Sequence, residues 1–237
     1  MERRQDRLIV VDYRVDNAIA SSLAEMGELV LFRHPLEEGA LSGHPDTALF
    51  YDGTTLIIAP NTPREVVAAL QKHHVAYTVG KRPSTAGHPH LAAYNAAGTG
   101  TLLIHHTPFS EETILQHYRG QEIIDVTQGY TRCSTLLLDS THLITSDEGI
   151  ATRCRKAGKQ VCTVLPQEIV LPGLPYGLFG GCCGLSGKTV LIAGSLKYLA
   201  EGEKIRHFIA NAGFQIRELK EAVPQDLGGI FLWGSPL

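Results

Sequence analysis

Residues 135–165 read TLLLDSTHLITSDEGIATRCRKAGKQVCTVL, and the fold follows from how this stretch is parsed. Thr135 to Leu138 is a short apolar run, Asp139-Ser140 is a turn signal, and Leu143 to Thr145 is a second apolar run; together they spell a hairpin. Asp147 then offers a carboxylate to the free amides of a helix start. The helix runs to about Lys156, Gly158 stops it, and Val161 to Leu165 resumes strand,. The unit is therefore strand, strand, helix, strand.

The same order recurs on both sides. Leu8 to Asp12 leads to a helix capped at Asp16 or Asn17 and running through Met26, then Gly27 and a strand from Leu29 to Phe32,. Thr55 to Ala59 leads to Asn61 and Pro63, which suit a helix start, with Val66, Val67 and Leu70 on one face,. Leu102 to His105 precedes Ser110, read as the cap of a helix carrying Ile114, Leu115 and Tyr118, and then the strand Ile123 to Val126,. Val190 to Ala193 precedes a helix with Ile205, Phe208 and Ile209 and a strand from Phe214 to Leu219,. Leading strands are read at Thr47 to Tyr51, Leu91 to Ala93, Thr135 to Leu138 and Gly184-Leu185,.

The inner strands begin near residues 8, 55, 102, 143 and 190, a spacing of about 45 that belongs to propeller-like or solenoid arrays. The first repeat has no leading strand ahead of it, and Gly229 to Trp233 is left over at the end. Pairing the two completes a sheet and removes an open edge. The expected fold class is thus α/β: a single domain over 1–237, a five-bladed α/β propeller of ββαβ repeats with pseudo-fivefold symmetry. Its blades are approximately 1–40 plus 224–237, 41–84, 85–127, 128–170 and 171–223. A doubly wound sheet is the rival, but it calls for one strand per helix and a Gly-rich first turn, and Val11 to Asp16 holds no glycine,.

With 21 Lys and Arg against 24 Asp and Glu, the formal charge of -3 argues against a nucleic-acid or anionic-lipid partner. The sequence offers no apolar run of the ~20 residues that a membrane span requires, so a cytoplasmic protein is expected. Its five cysteines, Cys133, Cys154, Cys162, Cys182 and Cys183, include no CxxC pair and read as reduced thiols.

Gln128-Gly129-Tyr130-Thr131-Arg132-Cys133-Ser134, Ile144 to Ala151, and Tyr176-Gly177-Leu178-Phe179-Gly180-Gly181 carry a resemblance. With Gly43-His44-Pro45-Asp46 and Asp226-Leu227-Gly228-Gly229-Ile230, they resemble an uncharacterised bacterial family of the guanidino-group-modifying-enzyme, or pentein, fold, along nearly the whole chain. The resemblance implies a ring whose enzymes, such as arginine and agmatine deiminases, dimethylarginine hydrolases and amidinotransferases, use a Cys nucleophile, a His acid/base and two carboxylates. It also admits a ring without chemistry, as in translation initiation factor six. Those enzymes carry the nucleophile near the C-terminus in a Gly-Gly-x-x-His-Cys type segment; here the matching run, Asp226 to Trp233, contains no cysteine.

If the first residues of each leading strand face the channel, the polar set there is His44, Asp46, Asn95, Arg132, Cys133, Cys182, Cys183 and Asp226. The catalytic reading takes Cys133 as nucleophile, His44 as acid/base and Asp46 as orienter or cation holder. Asn95, Arg132, Cys183 and Asp226 are read as substrate-binding residues for a small guanidine or amidine. The competing reading makes Cys133 a small buried apolar residue and His44 a loop residue. No metal and no cofactor are expected, since His73-His74, His88 with His90, and His105-His106 are poor chelating spacings. Asp147-Glu148 reads as a helix cap, and Asp12, Arg14 and Asp16 as a solvated turn.

Overall fold

The computed structural model describes residues 6–237. Five three-stranded sheets alternate with helices. In each, the middle strand runs antiparallel to one neighbour and parallel to the other. A helix on the crossover between the parallel pair covers one face of the sheet, as such connections require.

The first sheet contains β1 (Leu8–Asp12), then helix α1 (Asn17–Ala24) and β2 (Glu28–Phe32). The second contains β3 (Leu49–Tyr51), β4 (Leu56–Ile58), α2 (Arg64–Lys72) and β5 (Thr78–Val79). The third has β6 (Ala97–Thr99), β7 (Leu102–His105), α3 (Glu112–His117) and β8 (Glu122–Asp125). A one-turn helix, α4 (Thr131–Ser134), opens the fourth, followed by β9 (Thr135–Leu137), β10 (His142–Thr145), α5 (Glu148–Lys156) and β11 (Gln160–Thr163). The fifth comprises β12 (Cys183–Ser186), β13 (Thr189–Ile192), α6 (Gly202–Asn211) and β14 (Gln215–Glu218).

The leftover strand, β15 (Phe231–Trp233), returns to the first sheet and pairs antiparallel with β1, Leu8 opposite Trp233 and Val10 opposite Phe231. The inner strands β1, β4, β7, β10 and β13 are largely buried and mostly apolar. Ile19 and Leu23, Val66 and Leu70, Ile150 and Cys154, and Ile205 and Ile209 form the faces with which the helices cover them,. At ~1.5–3 kcal/mol for each fully buried aliphatic side chain, these faces hold the helices in place. Residues of β3, β6, β9, β12 and β15 line one common cavity of about 530 Å³. Among the described residues, no helix is long and apolar enough to cross a membrane.

Several boundaries differ from the sequence reading, for local reasons. The third leading strand is not Leu91 to Ala93, which belongs to a 3-10 turn with its cap, but Ala97–Thr99. There the α-carbon of Gly98 lies against the Tyr118 hydroxyl and the Phe50 ring, and a Cβ would stand 2.6 Å from the former. Ser110 does not cap α3, because its hydroxyl is bonded to His105 Nδ1 at 2.6 Å; Glu111 caps instead, accepting from Thr113 N. Asp16 and Asp147 cap α1 and α5 as expected. Asn61 ties its amide to the backbone of Ser84 at both ends, while Pro63 occupies the cap position of α2.

Short helical turns precede four of the leading strands: Pro45–Thr47 before β3, His90–Ala92 before β6, α4 before β9, and Gly180–Cys182 before β12. The candidate residues therefore sit on or beside turns rather than on strands.

Candidate active site

His44, Asp46, Asn95, Cys133 and Asp226 come from four different repeats and are all buried. The centre is Cys133. Its Sγ donates to Asp46 Oδ2 at 2.8 Å, lies 3.8 Å from His44 Nδ1, and is approached by Asn95 Nδ2 at 3.5 Å.

Asn95 also builds the turn that presents the thiol. Its carbonyl accepts from Thr131 N and Arg132 N, both at 3.0 Å, and its Oδ1 accepts from Cys133 N at 3.1 Å. Three successive amides at the start of α4, which have no intrahelical partner, are thereby satisfied by one residue of the preceding repeat.

Behind the imidazole stand two carboxylates. His44 Nε2 is 3.9 Å from Asp12 Oδ2 and 3.8 Å from Asp226 Oδ1. With Nδ1 turned to the sulfur and Nε2 to two negative groups, the tautomer that fits carries its proton on Nε2. Asp226 is fixed by Leu178 N at 2.8 Å and Gly228 N at 3.0 Å. Asp12 is clamped by Arg14, whose Nε donates to Oδ1 at 3.0 Å and Nη2 to Oδ2 at 2.5 Å. Glycines make this density possible. A Cβ on Gly43 would overlap the Asp12 carboxylate, one on Gly181 the Asp226 carboxylate, and one on Gly228 the His44 side chain.

Burial dominates the electrostatics. It pushes the Asp46 carboxyl up to about 7, against the Cys133 hydrogen bond and the positive charge of Arg132. It raises Asp226 to about 6, against the backbone N–H groups of Gly228 and Leu178, and lowers His44 to about 4, with Asp12 opposing. The Cys133 thiol is driven well above its ordinary value by burial and then by the charges of Asp46 and Asp226. The site thus favours a protonated thiol at Cys133, a neutral imidazole at His44 and carboxyls at Asp46 and Asp226 that resist ionisation,.

Of the residues singled out in the sequence, His44, Asp46, Asn95, Cys133 and Asp226 meet. Arg132 and Cys183 do not join them directly. Arg132 turns the other way: Nη1 donates to Gly180 O at 2.6 Å, Nη2 to Cys183 O at 3.0 Å, and the guanidinium lies over the Phe231 ring. Cys182 and Cys183 donate to the carbonyl of Phe179 at 3.0 and 3.1 Å. Among the paired histidines, His105 is fixed by Ser110 and the Gly129 carbonyl, His106 by the Val126 carbonyl and His73 by Glu28.

The reading of Asp12 and Arg14 as a solvated turn is corrected. Asp12 is buried and faces His44, because the end of β1 abuts the turn that begins the second repeat. The side-chain donors of His44, Asp46 and Cys133 lie within 4.8 Å of one another, close enough to converge on one small cation.

Residues 10–231 match the model of a family of unknown function, DUF6873. The search of curated proteins returns no match. Among solved structures, a Cys-to-Ser agmatine deiminase of C. jejuni with substrate bound superposes with a TM-score of 0.55 at 10% identity, over 92% of this chain and 89% of that one. DDAH from Pseudomonas aeruginosa, a Cys-to-Ser mutant complexed with citrulline, gives 0.50 at 9% identity over 90% and 91%. SxtG, an amidinotransferase from Microseira wollei in the saxitoxin biosynthetic pathway, gives 0.50 at 11% identity over 92% and 89%. The likeness is one of fold, the mixed α/β pentein fold with its five small sheets, as the sequence motifs led us to expect.

Proposed function

We propose that this chain, which belongs to that family of unknown function, closes its sheets into a five-bladed pentein ring and acts on C–N bonds of a small guanidine or amidine. Cys133 is the nucleophile, His44 the acid/base, and Asp46 and Asp226 hold the cation. The observation that carries the reading is the placement of Cys133 Sγ between His44 Nδ1 and the Asp46 carboxylate, with two further carboxylates behind the imidazole. The agmatine deiminase and amidinotransferase neighbours support it.

A bound amidinium supplies the positive charge that the buried carboxylates lack, and draws Asp46 away from the thiol into pairing with its own N–H groups. The thiol proton passes to His44 Nδ1, and the imidazolium is stabilised by Asp12 and Asp226 at Nε2. The thiolate adds to the amidine carbon, the C–N bond breaks, and His44 returns its proton to the departing amine. Water, or a second amine, then displaces sulfur with His44 as base, giving hydrolysis or transfer. Asn95 Nδ2, already near Sγ, donates to the thiolate. Because the closing segment, Asp226 to Trp233, contains no cysteine, the nucleophile comes from the fourth repeat instead.

The burial of all five side chains favours a second reading, a non-catalytic ring that binds a small ligand or a macromolecular partner. Labelling separates the two. Native protein treated with chloroacetamidine, an amidine-bearing alkylating reagent, is expected to be modified at Cys133 alone, and faster than by neutral chloroacetamide. If neither reagent reaches Cys133, or both react equally, the catalytic reading falls.

A further inference from the structure

Cys133, His44 and Asp46 bring together a thiol, an imidazole and a carboxylate, all buried, each with one donor atom within 4.8 Å of the other two. The Sγ to Nδ1 separation of 3.8 Å matches the ~3.5 Å expected between two donors bound tetrahedrally at ~2.3 Å for sulfur and ~2.0 Å for nitrogen. Asp46 Oδ2 is too near the sulfur, at 2.8 Å, to share an ion with it. Its other oxygen, Oδ1, has no hydrogen-bond partner; with His44 Nε2 and Trp233 Nε1 it completes the set of such buried side-chain atoms among the described residues.

We propose that Cys133, His44 and Asp46, through Oδ1, bind a divalent transition-metal ion of the zinc type. Such an ion takes S, N and O donors together and leaves a fourth position for water or a ligand. The surroundings fit. Coordination through Nδ1 leaves Nε2–H facing Asp12 and Asp226, the carboxylate-histidine arrangement that orients metal-bound imidazoles.

Charge agrees as well. Three carboxylates (Asp12, Asp46, Asp226) and a thiolate, set against the guanidiniums of Arg14 and Arg132, leave two negative charges for a divalent ion to neutralise. On binding, the Cys133 S–H bond breaks, a sulfur–metal bond forms, and the proton leaves to solvent. The expectation of a metal-free protein rested on the close histidine pairs, and none of those histidines belongs to this set.

The test uses the full chain, treated with a chelator and titrated with cobalt(II) as a spectroscopic probe. One equivalent is expected to produce a thiolate-to-cobalt charge-transfer absorption in the near ultraviolet, which zinc(II) abolishes at one to one. Cys133→Ser is expected to remove the absorption, and Asp226→Asn to weaken affinity about 10-fold or more. On wild-type protein, zinc is expected to shield Cys133 from alkylation, a measurement that needs no variant. No absorption with folded wild-type protein, or full absorption in Cys133→Ser, overturns the inference. The functional reading fails separately: Cys133 labelled by chloroacetamidine without cobalt binding leaves that reading standing and sinks this one. Cobalt binding at an unlabelled Cys133 does the reverse.

Discussion

Cys133 and the neighbouring pair Cys182-Cys183 occupy equivalent places in successive repeats, on or just after a short helical turn that leads into a first strand. All three thiols are buried. Yet Cys133 meets a carboxylate, an imidazole and an amide, whereas Cys182 and Cys183 share one backbone carbonyl and touch each other at 3.8 Å. Burial alone therefore does not tell these two surroundings apart. The difference lies in partners brought from other repeats, 38 to 89 residues away in the chain.

The sharpest way to break this contrast is to delete each sulfur in turn. Cys133→Ser is expected to lower chloroacetamidine incorporation at least ~10³-fold, as loss of a nucleophile does, with Cys182→Ala and Cys183→Ala within about threefold of wild type. Equal losses in all three, read by mass spectrometry, would erase the distinction.

Gly181→Ala, on the turn before Cys182, sets a methyl into the Asp226 carboxylate. It is expected to cost about 3 kcal/mol in urea unfolding. A cost below ~0.5 kcal/mol would mean that the cluster is looser than its geometry implies.

The smallest effect tests the Cys133 side through Asp46. A carboxyl raised from its ordinary 3.8 to about 7 contributes stability that is fully present below 3.8 and lost as pH rises through about 7. Asp46→Asn has no charge to bury, so its melting temperature relative to wild type is expected to improve by a few degrees between pH 5 and pH 8. A difference independent of pH would contradict a strained carboxylate at that position.

Much of this molecule was legible from its sequence. The spacing of apolar runs placed the five sheets, and the unmatched run at Gly229 to Trp233 found its partner in Leu8 to Asp12. His44, Asp46 and Cys133 could be grouped because each stands ahead of a leading strand in its own repeat. Asp12 and Arg14 escaped because charged residues after a strand look the same whether they face water or a neighbouring repeat; only the packing of β1 against the His44 turn decides. The strand Ala97–Thr99 escaped because Ala-Gly-Thr carries no apolar signature. It is a strand by virtue of pairing with Leu102–His105 and of the space that Tyr118 and Phe50 leave for Gly98.

The pairing of β15 with β1 also dictates an order of assembly. During synthesis the first sheet is begun before any other, yet its second edge lies open until the ribosome has delivered Phe231, Leu232 and Trp233. The later sheets, which draw all their strands from contiguous sequence, can each be completed as they emerge. The nascent chain thus carries a bare, apolar strand edge through most of its translation, and the final strand acts as the clasp that removes it.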